Sequence, residues 1–251
     1  MEPGSPSPWS APGPTPGTSP LRWGLGDFFG IYFAGLIAAQ IGGAIALAVT
    51  GPVASSAPIP ALLIGLIFGG QYLTWIGGLV LVSRVKGRAG LREDFGLDVR
   101  ARRMWALLVG LVLQFVLGVF VLPLIALAHY EKEGVVQDLA RSSGAARLIF
   151  LVGAGLFAPV TEELLFRGLL LRALRRRYSP EVAIAVSAVL FGAAHLIGGG
   201  VLGTLAILPA LVALGMISGV AAVWVGDLSV SIPLHVGFNL ITLASYAVIR
   251  H

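Results

Sequence analysis

Pro159-Val160-Thr161-Glu162-Glu163-Leu164-Leu165-Phe166-Arg167-Gly168 lies inside an apolar run that starts near Leu148 and ends only at Arg172. Two adjacent carboxylates and a guanidinium therefore fall where a membrane helix would hold them far from bulk water. Insertion scales place each such group at about 2.5–3.5 kcal/mol unfavourable at a helix centre, so the three need compensation from elsewhere in the chain. Ionisable groups kept in a membrane segment at that cost are, by default, candidates for a functional site.

The composition around this stretch has the same character. The chain has 251 residues, of which 57% are hydrophobic and 12% charged, with a mean hydropathy of +0.90; soluble domains carry about 25% charged residues. Cysteine is absent, which removes disulfides, thiol nucleophiles and cysteine metal sites together. A net charge of +5 and a pI near 10.1 could suit nucleic acid, but the basic residues flank apolar runs and are better explained by orientation in a lipid bilayer. No nucleic-acid partner is expected. The basic set is 15 Arg against 2 Lys, which reads as coding bias, since lysine would serve equally well as a topological signal.

Taken in order, residues 1–26 hold seven prolines before Leu21 and almost no periodicity, the composition of a disordered tail. No basic segment precedes a short apolar core there, so a secretory signal is not indicated. Residues 27–251 form the second unit, a transmembrane domain. Apolar runs long enough to cross a bilayer, which takes about 20 helical residues, fall near 28–50, 59–83, 104–128, 147–171, 181–198, 202–225 and 230–249. The expected fold is an all-α polytopic transmembrane bundle of about seven spans, within six to eight. Arg84 to Arg103 contains seven basic residues, and Arg172, Arg175, Arg176 and Arg177 form a second cluster two spans later. Two intervening spans put both clusters on one side, the cytoplasmic one by the positive-inside rule. The N-terminus is then cytoplasmic, residues 129–146 are external, and Arg250 and His251 lie outside. Gly42-Gly43, Gly69-Gly70, Gly77-Gly78, Gly65/Gly69 and Gly215/Gly219 read as close helix-packing positions. Gln40, Gln71 and Gln114 read as interhelical hydrogen-bonding groups.

Ionisable residues within the runs are confined to the second half of the chain: Glu162, Glu163 and Arg167, then His195, then His235. Asp227, beside Gly226, reads as an interfacial or capping residue. Glu163 and Arg167 are four apart and share a helical face, so they can pair. Glu162 is turned about 100° away, at 3.6 residues per turn. One carboxylate would suffice for the arginine, and an unpaired buried second one costs several kcal/mol. A carboxylate held in a confined polar pocket is what a general base near neutral pH requires. Pro159 removes one backbone hydrogen bond just upstream and can open the helix to water. The four-residue spacing recurs in Phe191-Gly192-Ala193-Ala194-His195 and in His235-Val236-Gly237-Phe238-Asn239, which puts an imidazole beside an aromatic ring and another beside a carboxamide.

Glu-Glu-x-x-x-Arg at 162–167, Phe-x-x-x-His at 191–195 and His-x-x-x-Asn at 235–239, in that order and in separate apolar runs, resemble the CPBP family. This is the CAAX-protease and bacteriocin-processing group, also described as type II CAAX prenyl endopeptidase-like or Abi proteins. The resemblance spans about residues 84–249 and includes Asp94-Phe95-Gly96-Leu97. It implies an intramembrane endopeptidase with an active site open to the cytoplasmic side. In that reading Glu162 activates a water, His195 assists, His235 and Asn239 stabilise the oxyanion, and Glu163 with Arg167 holds Glu162 in place; Phe191 supports the site. Hydrogen-bond donors of the His235 and Asn239 kind are what a developing alkoxide needs, and no serine stands in a Gly-x-Ser-x-Gly elbow.

Glu162, His195 and His235 could also form a three-ligand zinc site with an open position. His-Glu-x-x-His is absent, and a carboxylate-activated water needs no metal, so no cofactor is expected. The expected partners are a membrane-associated peptide or protein substrate, of CAAX type or a leader peptide, and the bilayer itself. The expected location is the plasma membrane of a prokaryote, as a multi-pass protein. The competing function is a non-catalytic immunity or interaction protein of the same fold. A small transporter is disfavoured, because no inverted repeat is visible and the ionisable residues sit in one half of the chain.

Overall fold

In the structure, a computed structural model, residues 22–54, 57–88, 90–127, 142, 144–196 and 201–248 are described. The expectations for residues 1–21, for most of the 129–146 segment, and for Arg250 and His251 lie outside the described residues. Among those described, every regular element is helical. The long helices are α1 (Leu25–Thr50) and α2 (Ala61–Lys86), followed by the short α3 (Leu91–Phe95). Then come α4 (Trp105–Leu127), α5 (Gly144–Arg175), α6 (Pro180–Ala194), α7 (Val201–Val225) and α8 (Ser231–Val248).

Each of the seven apolar runs becomes a helix. Among the described residues, five segments are long and apolar enough to cross a membrane: Leu25–Thr50, Ala61–Lys86, Ala101–Leu124, Gly144–Arg175 and Leu205–Val225. α6 is shorter than the 181–198 run expected. It has 15 residues, about 22 Å at 1.5 Å per residue, and the chain leaves the helix at His195, which is its C-cap.

Polarity is inverted relative to a soluble domain. The largest fully buried side chain is Arg167, while Leu73, Phe115 and Phe120 are about 70% exposed, at 73%, 67% and 71%. Buried charge inside an apolar outer surface is the arrangement that a hydrocarbon solvent selects. The molecule is an integral membrane protein.

Helices α1 and α2 pack together, as do α4 with α8 and α6 with α7. Glycine permits the closest approaches. A Cβ on Gly42 would strike the Leu66 carbonyl, and one on Gly70 would lie 2.6 Å from the Ala38 carbonyl. One on Gly215 would lie 2.9 Å from Ala188 and one on Gly219 3.0 Å from Ile184. Gly69 and Gly77, expected to do the same, face open space. Gln40 also turns to the exposed face of α1, away from an interhelical role.

The α4–α8 crossing bears most directly on the site. A Cβ on Gly237 would strike the Leu107 carbonyl, and one on Gly110 would strike the Leu234 carbonyl. Gly237 lies between His235 and Asn239, so this contact of two backbones sets the depth of both. Gly237→Val should lower the thermal midpoint by the equivalent of about 1–3 kcal/mol, the usual cost of overpacking. Thermal unfolding in detergent would measure it.

The two basic clusters meet at one end of the bundle, as their separation by two spans requires. Arg172 at the end of α5 donates to the Asp94 carbonyl (3.3 Å) and the Gly226 carbonyl (3.0 Å). Arg176 donates to the Trp23 carbonyl and stacks over its ring at 4.3 Å. Trp23 is buried, so residues 22–26, expected to end the tail, belong to the fold. Asp27 caps α1 by accepting from the Gly24 amide (2.9 Å) and pairs with Lys86 (2.6 Å).

Asp94-Phe95-Gly96-Leu97 forms a plug at this end. Asp94 accepts from the Ser83 hydroxyl at 2.5 Å and the Arg88 amide at 2.9 Å. Phe95 packs on Gly168, where a Cβ would lie 2.8 Å from its carbonyl. Gly96 takes a φ of +75°, as the end of α3 demands of a residue without Cβ, and its carbonyl accepts from the Leu228 amide at 2.9 Å.

Asp227 does more than the expected capping. It accepts from the Ser229 amide (3.0 Å) ahead of α8 and also pairs with Arg103 (2.9 Å) and Arg100 (3.1 Å). The same Arg100 holds the Asp98 carboxyl below its ordinary value by donating a hydrogen bond to it.

Candidate active site

α5 is not a uniform helix. α-Helical turns at Gly144–Val152, Ala158–Glu163 and Leu171–Leu174 alternate with π-helical turns at Gly153–Phe157 and Leu164–Leu170. Single π-turns inside α-helices recur at functional sites. Here one lies on each side of Glu162 and Glu163. The first has a cause in the sequence. Pro159 has no N–H, so the register around it cannot be completed by normal i→i−4 bonds, and the Ala158 amide bonds to the Gly153 carbonyl five residues back. The Thr161 hydroxyl donates to the Phe157 carbonyl (2.8 Å) and the Ser187 hydroxyl to the Phe166 carbonyl (3.0 Å). Side-chain donors thereby support backbone acceptors near both wide turns.

Glu163 and Arg167 form the expected pair, Oε1 to Nη1 at 3.2 Å, with both side chains fully buried. The same Glu163 oxygen also meets His235 Nδ1 at 3.0 Å. A carboxylate only accepts, so Nδ1 carries the proton and donates. The opposite ring nitrogen, Nε2, faces Glu162 Oε2 at 3.7 Å. The two carboxylates therefore leave the helix in different directions, as their 100° separation requires, yet both converge on one imidazole. Glu163 is enclosed, whereas the Glu162 side chain is 16% exposed and, among the described residues, pairs with no group closer than that.

Phe191 stands at the centre of the remaining groups. Its ring lies 5.0 Å from that of His195 and 5.5 Å from that of His235, both edge-on. The Arg167 guanidinium sits over it at 4.4 Å, a cation–π contact to a buried arginine whose three side-chain nitrogens make no hydrogen bond among the described residues. His195 Nδ1 donates to the Phe191 carbonyl at 2.9 Å, which leaves Nε2 as the basic nitrogen of the neutral ring. Among the described residues no hydrogen bond or ion pair joins His195 to Glu162; they share the cluster through Phe191 and its neighbours. Asn239 donates from Nδ2 to the Ala154 carbonyl at 2.9 Å, a contact between α8 and α5.

Two groups were not marked by the sequence. Tyr32 on α1 and Tyr72 on α2 both pack against Trp75, and the Tyr32 ring also lies edge-on to Phe166 at 6.1 Å. The Tyr32 hydroxyl donates to the Ala194 carbonyl at 3.3 Å, beside His195. A tyrosine in a long apolar helix has no charged neighbour or spacing to single it out. An apolar crevice of about 140 Å³, walled by Tyr32, Phe166 and Ala194, opens between α1 and α6 at the same level. Among the described residues no three His, Asp or Glu side chains are gathered so as to hold a metal ion. His235 is engaged through Nδ1 by Glu163, which leaves Nε2 as the ring nitrogen that faces Glu162.

Residues 144–241 match the family described as Type II CAAX prenyl endopeptidase Rce1-like. That segment contains Glu162, Glu163, Arg167, Phe191, His195, His235 and Asn239. Comparison with curated proteins and with solved structures returns no match.

Proposed function

We propose that this chain, which over residues 144–241 belongs to the Type II CAAX prenyl endopeptidase Rce1-like family, hydrolyses a peptide bond with a water activated by Glu162. The observation that carries the reading is the bridging of Glu163 and Glu162 by His235, at 3.0 and 3.7 Å. It separates two adjacent carboxylates into one fully buried and paired with Arg167 and His235, and one partly exposed.

In the proposed reaction Glu162 removes a proton from a water, and the hydroxide adds to the scissile carbonyl carbon. The negative charge that develops on the carbonyl oxygen is met by the Asn239 amide and by His235 Nε2–H. That second donor requires both ring nitrogens of His235 to carry protons, and Glu163 at Nδ1 orients the ring. Prearranged donors of this type are worth about 10²–10³ in turnover each. The proton then passes from Glu162 to the departing amine nitrogen as the C–N bond breaks, with His195 Nε2 assisting the transfer. The products are a free carboxylate and an amine.

The proposed chemistry, a carboxylate-activated water, needs no metal. Incubation with EDTA or 1,10-phenanthroline should leave the cleavage rate unchanged, and a loss restored by zinc would overturn the metal-free assignment. The substrate is proposed to be membrane-associated, reaching the site from the basic, cytoplasmic end of a prokaryotic plasma membrane. The test of the function is direct: purified protein in liposomes, incubated with a library of lipid-anchored peptides and read by mass spectrometry. Cleavage at a preferred bond supports the protease. No cleavage, together with stable capture of a peptide or protein, would favour the immunity or interaction reading.

A further inference from the structure

The first π-turn of α5 leaves one carbonyl without a helical donor. In a regular α-helix the Ala154 carbonyl would accept from the amide of residue 158. Here the Ala158 amide bonds to Gly153 instead. The next amide along, which a π-register would use for Ala154, belongs to Pro159 and does not exist. A part-buried carbonyl without a donor is costly, and Asn239 supplies the donor from α8 at 2.9 Å.

We infer that Pro159 is a positioning residue for Asn239. By denying Ala154 a backbone partner, it creates the acceptor that holds the Asn239 amide. An amide group is planar and carries two N–H donors. Committing one of them to Ala154 fixes the direction of the other, the one assigned above to the reacting oxygen. The donor that meets the developing charge is therefore aimed by the same helix that carries Glu162, three residues beyond Pro159. A fixed donor needs no reorganisation during reaction, which is the source of its catalytic value. The catalytic half of this inference rests on the protease reading; the structural half does not.

The chain contains a single asparagine, which makes the test clean. Protein labelled with ¹⁵N-asparagine gives one side-chain amide, with two proton resonances. In the wild type one of them should be shifted downfield and slow to exchange. In Pro159→Ala, where an added N–H can satisfy Ala154, both should exchange alike. The same variant should lower kcat about tenfold at an unchanged KM, within the range that a misplaced catalytic group costs. In an Asn239→Ala background, Pro159→Ala should then change kcat by less than about twofold, because neighbours acting through one interaction are not additive.

Identical amide spectra in wild type and Pro159→Ala, or additive losses in the double variant, would overturn the inference. If Pro159→Ala does not fold, the wild-type spectrum decides alone, two rapidly exchanging protons at ordinary amide shifts being the contrary result. If the wild type cleaves nothing, the protease reading fails, while the spectra still decide whether Pro159 sets Asn239.

Discussion

Replacing Glu162 by Gln is expected to reduce peptide cleavage by about 10²–10⁴-fold, the range that a positioned general base contributes, while leaving the fold intact. The side chain keeps its shape and loses only the ability to take a proton from water. Stability should hardly change, because Glu162 makes no contact shorter than 3.7 Å with a charged partner and is the more exposed of the two carboxylates. KM should also remain close to that of the wild type, since a group that acts on the water does not hold the peptide. Initial rates on the best library peptide, with thermal unfolding recorded in parallel, would measure both parts.

Glu163→Gln should do the reverse. Glu163 is fully buried, and its Oε1 serves both Arg167 (3.2 Å) and His235 (3.0 Å). Without its charge, Arg167 becomes a buried guanidinium held mainly by the face of Phe191 at 4.4 Å. Breaking a buried pair from one side costs about 3–5 kcal/mol, because the partner is left uncompensated. The variant should unfold at a clearly lower temperature. The fraction that remains folded should be slower than wild type but not inert, since Glu162 is still present. Its loss should fall on kcat, through His235, whose ring loses the carboxylate that orients it.

The parts of this molecule that were legible in the sequence are those that a solvent imposes. The apolar runs, their separation by basic clusters and the low charge content follow from the need to place helices in hydrocarbon. The meeting of Arg172 with Asp94 and Gly226 agrees with the resulting topology. The Glu163–Arg167 pair was legible because helical spacing alone puts them on one face. The helix boundary at His195 was not, because the apolar run continues beyond Ala194 and only the backbone geometry shows that the chain turns there.

The double engagement of His235 was also illegible. Nothing in the spacing of α5 and α8 says that one imidazole sits between two carboxylates that leave their helix 100° apart. That placement depends on two π-turns and on the glycine contact between α4 and α8, which are tertiary events. Pro159 was visible as a helix breaker, but its consequence, an acceptor for a side chain 80 residues on, required coordinates. The expectation that Gly69 and Gly77 pack helices failed for a related reason. Their spacing suits close packing, but they face open space, and spacing alone does not tell which face of an all-apolar helix meets lipid.

The central claim is that of two adjacent glutamates only Glu162 is reactive. The most direct test is the cleavage rate per folded molecule of Glu162→Gln and Glu163→Gln, measured side by side in one detergent with the folded fraction determined by thermal unfolding. Glu162→Gln should be as stable as wild type and inactive, whereas Glu163→Gln should be destabilised and retain cleavage in its folded fraction. A Glu162→Gln protein that cleaves at the wild-type rate would contradict the claim.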